Sequence, residues 1–278
     1  MRTQDGGSLQ RGRLEEARRV LSSHDSAASP HAGIDPVHQS EGWRLALVPG
    51  AHEWFPSESE HPPPLAVLIS LLWREYDRHE QASPGAVLWI GRSCWVYPLA
   101  LLRRSGSSID RRLLDSSVFI DTDRPRSARG DLVWSIEQAA RCEGASTIIA
   151  DGRGLSMAES RRLQIAAEGD RQRRGTPVQI VRTARERGTL SASRSRWLAA
   201  PETSQEHDDR TQGWTVELMR CKGTQPESGG AHRWRVRREH GAANQADWEP
   251  IVGSSARDGD MDAPVAHRQH PPARSRTA

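Results

Sequence analysis

Lysine is almost missing from this chain. Lys222 is the only one among 39 basic residues, so nearly every cation is an arginine. A nucleotide site of the phosphate-loop type needs a Lys to reach the outer phosphates, so this single count weakens that chemistry from the start. Cysteine is scarce too. Cys94, Cys142 and Cys221 are widely spaced, odd in number and form no CxxC. That spacing argues against a zinc site or a disulfide framework and for a reducing cytoplasm. No apolar run approaches the length of a membrane span, and no signal-peptide core stands at the N-terminus. HExxH and GxSxG are also lacking. His52, His61 and His79 are scattered without ligand spacing, and the Ser93-Cys94 pair has no nucleophile elbow around it.

The 278 residues carry a net charge of only +3 and 35% hydrophobic residues. The apolar residues concentrate between about Trp43 and Trp234, enough for one medium α/β domain. Arginine keeps its charge and pairs bidentately with phosphate or carboxylate, which leaves nucleic acid or an acidic partner open. A base-composition bias would give the same Arg-for-Lys preference.

Along the chain, residues 1–40 form a polar arm with one short amphipathic piece at Leu14, Ala17, Val20 and Leu21. A buried-strand pattern, Leu45 to Val48, leads into the loop Gly50 to Pro64. An amphipathic helix follows, with Leu65, Leu68, Ile69, Leu72, Trp73 and Tyr76 on one face. Strands are expected at Ala86 to Ile90, Ser117 to Asp121, Thr147 to Ala150 and Pro177 to Val181. Between them the pattern gives a short helix at Pro98 to Arg104 and a helix at Leu132 to Ala140. A further helix opens with Ser156 and Glu159 in capping-box spacing and buries Leu163, Ala166 and Ala167. Repeated β-α-β units of this length predict a mostly parallel sheet covered by helices on both sides. Beyond Gly188, strands at about Leu190 to Leu198, Trp214 to Arg220 and Arg233 to Val236 predict an antiparallel hairpin portion. Residues 241–278 read as a disordered tail. Trp43, Trp54, Trp73, Trp89 and Trp134 read as core.

Strand, loop and helix around residues 45–76 mark the place where a nucleotide-binding α/β protein keeps its phosphate loop. The chemistry is wrong for phosphate. Glu58 and Glu60 would repel it, and Pro62 and Pro63, with no N–H to donate, stand where Lys-Thr would be expected.

The order of features resembles the RecA recombinase core and, most closely, the ImuA family of RecA-like, SulA-related inducible mutagenesis proteins. The resemblance rests on Gly50-x-x-Glu53, the Val87 to Ile90 strand, Tyr97 to Gly106, Leu132 to Ala140 and Ser160 to Ala167. It continues through Ser193-Arg-Ser-Arg-Trp197 and Trp214 to Gly223. It implies a RecA-like core over residues 41–240. The water-positioning glutamate of RecA would fall at about Ser93, and its Walker-B acid at Asp151. Neither a catalytic role nor a cofactor is expected. Arg220 and Lys222 resemble the basic pair that reaches a neighbour's nucleotide in RecA-like filaments. Arg161, Arg162, Arg171, Arg173, Arg174, Arg182, Arg185 and Arg187 lie near the position of RecA's DNA-binding loop, as DNA or partner contacts or as a solvated face. The function implied is a non-catalytic adaptor in damage-induced, error-prone translesion synthesis. Its partners would be an ImuB-type polymerase homologue, a DnaE-type polymerase and RecA, with DNA binding weak or indirect. A residual ATPase, a DNA-binding protein and a SulA-like division inhibitor are the alternatives.

Overall fold

A computed structural model describes residues 36–78, 85–105, 107–122, 128–170, 172–202, 211–222, 232–239 and 246–251. The expected arm and its helix at residues 14–21 lie outside the described residues, as does most of the expected tail.

The chain enters through a 3-10 helix, Pro36–Leu47, where a strand at Leu45 to Val48 was expected. The first strand is instead β1, Gly50–Pro56. Half of the expected phosphate loop is therefore strand. The reason lies in His52 and Glu53, which look like loop residues but are fully buried beside partners far away in sequence. Helix α1, Leu65–Arg78, and strand β2, Ala86–Ile90, follow. After a 3-10 turn at Pro98–Leu101 the expected short helix gives way to a small antiparallel hairpin, β3 (Arg103–Ser105) with β4 (Ser108–Asp110). Next come a one-turn helix α2 (Arg112–Asp115), β5 (Ser117–Ile120), α3 (Ala128–Ala140) and β6 (Ala145–Asp151). Helix α4 (Met157–Glu168) opens on the Ser156–Glu159 capping box, and β7 is Pro177–Val181.

The remaining strands are β8 (Ser195–Pro201), β9 (Thr211–Cys221), β10 (Arg233–Glu239) and β11 (Ala246–Pro250). Strand β11 corrects the expected disordered tail. Its two alternate apolar residues, Ala246 and Trp248, are too few to show a period, yet both are buried. Trp248 donates to Ser70 Oγ at 3.2 Å and packs against Trp43 with ring centres 5.9 Å apart.

One nine-stranded sheet runs β5-β2-β6-β7-β1-β8-β9-β10-β11. Its first six strands are parallel, and the last three pair antiparallel. The β1-to-β2 crossover moves one way along the sheet, while β5-to-β6 and β6-to-β7 move the other way. Right-handed crossovers must then put α1 on one face and α3 and α4 on the other. Two separate cores result. Under α1 lie Leu68, Leu72 and Trp73 with a tryptophan layer from the sheet: Trp54 stacks on Trp197 at 5.2 Å, which meets Trp234 at 5.7 Å. Under α3 and α4 lie the smaller Ala51, Ile136, Ile148, Leu163 and Val178. Trp134, expected in the core, projects from α3 with 59% of its surface exposed. Among the described residues no helix is long and apolar enough to cross a membrane.

The α1 face also buries a polar chain. His52 Nε2 lies 2.9 Å from Val48 O, an acceptor only, so this nitrogen carries the proton. Nδ1 must then accept from Ser195 Oγ at 2.7 Å, and Ser195 Oγ accepts from Trp197 Nε1 at 2.6 Å. Burial pushes the imidazole from 6.5 down to about 4, opposed by the Val48 carbonyl and assisted by the charge of Arg194. Above pH 6.5 the ring is neutral both folded and unfolded. Below it the unfolded chain takes up a proton that the folded chain refuses until about pH 4. Stability linked to His52 should therefore fall by about 3 kcal/mol between those values. Urea unfolding at pH 7, 6 and 5 should show about 2 kcal/mol of this decline in the native chain. A His52→Gln variant, less stable at pH 7, should lack most of it.

Candidate functional site

In a parallel sheet with crossovers on both faces, loops that could hold a ligand gather at the carboxyl ends of the strands. At the end of β1 stands the loop Ser57 to Pro64. The Ser57 N–H donates to Ala199 O at 3.0 Å, that of His61 to Glu58 O at 3.3 Å, and that of Leu65 to Pro63 O at 2.7 Å. Pro62, Pro63 and Pro64 have no N–H. The loop is further tied by Ser57 Oγ, 2.7 Å from His61 Nδ1. Glu58, Glu60, Pro62 and Pro63 are all exposed on it. An anion approaching this bend would meet two exposed carboxylates and three prolines with no N–H to donate.

Asp151 ends β6 beside Gly91, which follows β2 with φ +88° and whose missing Cβ would sit 2.8 Å from that of Asp151. The carboxylate is caged by the next residue but one. Arg153 Nε and Nη2 reach it at 3.0 and 2.7 Å, and the Arg153 N–H donates at 3.0 Å. Burial would raise its pKa, but the Arg153 fork wins and holds the carboxyl below its usual range. Asp151 thus caps the turn after β6. Ser93 lies in the 3-10 turn Arg92–Cys94 after β2, where a hydroxyl cannot act as a general base of ordinary strength. Among the described residues no cluster of His, Cys, Asp or Glu could hold a metal ion.

The arginine group does not form one surface. Arg182 is buried in the sheet. Arg173 caps two helix ends, donating to Ala140 O at 2.6 Å and Ala166 O at 2.7 Å. Arg162 pairs with Glu137 at 2.6 Å, and Arg187 Nε turns back to Ala184 O at 3.2 Å. Arg161 and Arg185 are exposed near the carboxyl ends of the strands, whereas Arg174 is exposed at the opposite end, just before β7. Arg171 lies outside the described residues. Sequence proximity was misleading because α4 and β7 run the full depth of the sheet between these positions. Arg220 is engaged in holding the loop before β8, donating from Nη2 to Ser191 O and Ser193 O at 3.0 and 3.2 Å. Lys222 is exposed at the end of β9.

What the carboxyl edge does contain is a buried ion network. Glu53 Oε1 accepts from Arg182 Nη1 at 2.8 Å and from Ser191 Oγ at 2.7 Å, while Oε2 accepts from Arg196 Nε at 3.0 Å. Arg182 Nη2 goes on to Glu186 Oε1 at 2.8 Å, Leu155 O at 3.2 Å and Thr189 Oγ1 at 3.4 Å. Glu186 also takes the N–H groups of Gly154 at 2.6 Å and Thr183 at 2.9 Å. Burial opposes its ionisation, but the Thr183 N–H and the Arg182 guanidinium outweigh it and keep the Glu186 pKa low. Two carboxylates and two guanidiniums balance. The network lies under the crossover from β7 to β8 and fixes that crossover on β1. Gln164 of α4 fastens the same segment, with Oε1 accepting the N–H of Ala51 and of Arg194, both at 2.9 Å. Glu53 entered the sequence reading only through the Gly50-x-x-Glu53 resemblance, as part of an expected loop. No sequence signal joined it to its partners.

No protein-family model matches this chain, and no curated protein matches it. The resemblance to the ImuA family stands on the quoted residues alone.

Removing the Glu53 carboxylate would leave two arginines facing each other in a dry setting. Glu53→Ala should cost about 3–5 kcal/mol in urea or thermal unfolding. Glu58→Ala, on the exposed loop, should change stability by less than about 0.5 kcal/mol.

Proposed function

We propose that this chain is a non-catalytic, RecA-like accessory protein that serves damage-induced mutagenesis as a docking adaptor for translesion synthesis. The observation that carries the reading is the bend after β1. It occupies the position of a phosphate loop, yet its three prolines lack an N–H and its two exposed glutamates would repel a triphosphate. The caged Asp151 supports the same reading, since an acid already held by Arg153 is a poor magnesium ligand. A large parallel sheet with helices on both faces and an antiparallel extension is compatible with a RecA-like core.

By resemblance to the ImuA family, the partners are an ImuB-type polymerase homologue, an error-prone DnaE-type polymerase and RecA itself. Binding is then the whole mechanism: the adaptor contributes shape and surface, and the chemistry belongs to the polymerase. Two measurements test this. Calorimetric titration with Mg-ATP should show no saturable heat up to millimolar nucleotide, and no phosphate should be released; micromolar affinity with turnover would overturn the reading. The purified chain should also retain the cognate polymerase homologue at low salt, and failure to do so would remove the adaptor role.

A further inference from the structure

The crossover from β7 to β8 has an unusual combination of properties. Nearly every polar group in it is bound inward, yet at its middle Leu190 leaves 81% of its surface in solvent. Ser191 is held by Glu53, and the Ala192 N–H donates to Ser160 Oγ at 3.0 Å. The Arg194 N–H donates to Gln164, and the Ser191 and Ser193 carbonyls accept from Arg220. A leucine on a slack loop would fold back onto apolar neighbours. This one is presented on a fixed backbone.

Leu190 is not alone on that surface. Arg182 Nη2 bonds both Leu155 O and Thr189 Oγ1, so these two residues lie a single guanidinium nitrogen apart. Ser160 Oγ accepts the Ala192 N–H at 3.0 Å and donates to Met157 O at 2.9 Å, so Met157, 48% exposed, opens α4 against the same crossover. Arg161 follows Met157 by one helical turn on the same flank of α4. Arg185 lies five residues before Leu190 on the 3-10 helix Ala184–Gly188. Both arginines are exposed, and neither forms an ion pair among the described residues. The carboxylates next to them in sequence are already engaged: Glu186 in the buried network, and Glu159 in the α4 capping box. Leu190 and Met157 are thus exposed on abutting segments that also carry two arginines without an ion pair among the described residues.

We propose that Leu190 and Met157, with Arg161 and Arg185 beside them, form the docking site for an acidic amphipathic segment of a partner protein. This rests on the adaptor reading and names the surface it uses. Apolar side chains of the segment cover Leu190 and Met157, and its carboxylates pair with the two arginines. The apolar centre favours protein over nucleic acid: a phosphate backbone gains nothing from an aliphatic pair, and two arginines release too few counterions to hold DNA at physiological salt.

The test uses the full chain and three fluorescent probes: a 20-residue amphipathic Glu/Leu helix peptide, its scrambled isomer and a dT20 oligonucleotide. Anisotropy at 150 mM salt should show the amphipathic peptide bound and the scrambled peptide at least tenfold weaker. Leu190→Asp and the double variant Arg161→Glu/Arg185→Glu should each weaken the amphipathic peptide at least tenfold, with unchanged urea unfolding. Leu190→Met should retain binding. Equal peptide affinity in native and variant chains would overturn the proposal, as would binding of dT20 alone. Retention of the polymerase homologue separates the two readings. If Leu190→Asp still retains it as the native chain does, this site falls and the adaptor role stands. If the native chain retains nothing, the adaptor role itself falls.

Discussion

A carboxylate buried this deeply needs its lone pairs filled, and Glu53 draws its donors from three places along the chain. Arg182 follows β7, Arg196 belongs to β8, and Ser191 lies on the crossover between them. The network therefore cannot close until β1 has both neighbours in register and the crossover is laid across it. A slip of one residue would turn Glu53 to the opposite face of the sheet and leave its arginines unpaired. Its contribution is to specificity of arrangement more than to net stability, because desolvation cancels much of the Coulombic gain.

The same constraint shapes the end of the sheet where a ligand would be sought. Donors that might face outward at the carboxyl edge are turned inward: Gly154 and Thr183 N–H to Glu186, Arg153 to Asp151, and Ser57 N–H to Ala199 O. Catalysis by electrostatic preorganisation needs donors and charges aimed at a vacant position. Several of them are satisfied by one another here.

Legibility in the sequence followed the range of the interactions. Strands β2 and β7 and helix α1 were readable because their apolar periodicity is local, and the Ser156–Glu159 box was readable because both partners lie within one turn. Strand β1 was hidden because its polar members are satisfied at a distance, His52 by Ser195 and Glu53 by Arg196, each 143 positions away. Strand β11 was hidden for a different reason: two alternate apolar residues do not make a period, and only the pocket formed by Trp43 and Ser70 reveals that Trp248 belongs inside. For the arginines, sequence gave the charges but not their partners. A cation on a helix end, a cation in a core and a cation in solvent look identical in a string of letters.

That distinction bears on how such a scaffold could act. With Arg182 buried, Arg173 on helix ends and Arg162 paired, the basic character suggested by eight clustered arginines shrinks to a few exposed side chains at opposite ends of the sheet. Nucleic-acid affinity scales with the number of phosphates neutralised, so dispersal weakens it far more than a net charge would suggest. Protein docking scales differently: a few anchors on a backbone that loses little freedom on binding can dominate an interface. The crossover fastened by Glu53 provides that kind of backbone, so the residue that ties β1 to its neighbours also holds the segment that exposes Leu190.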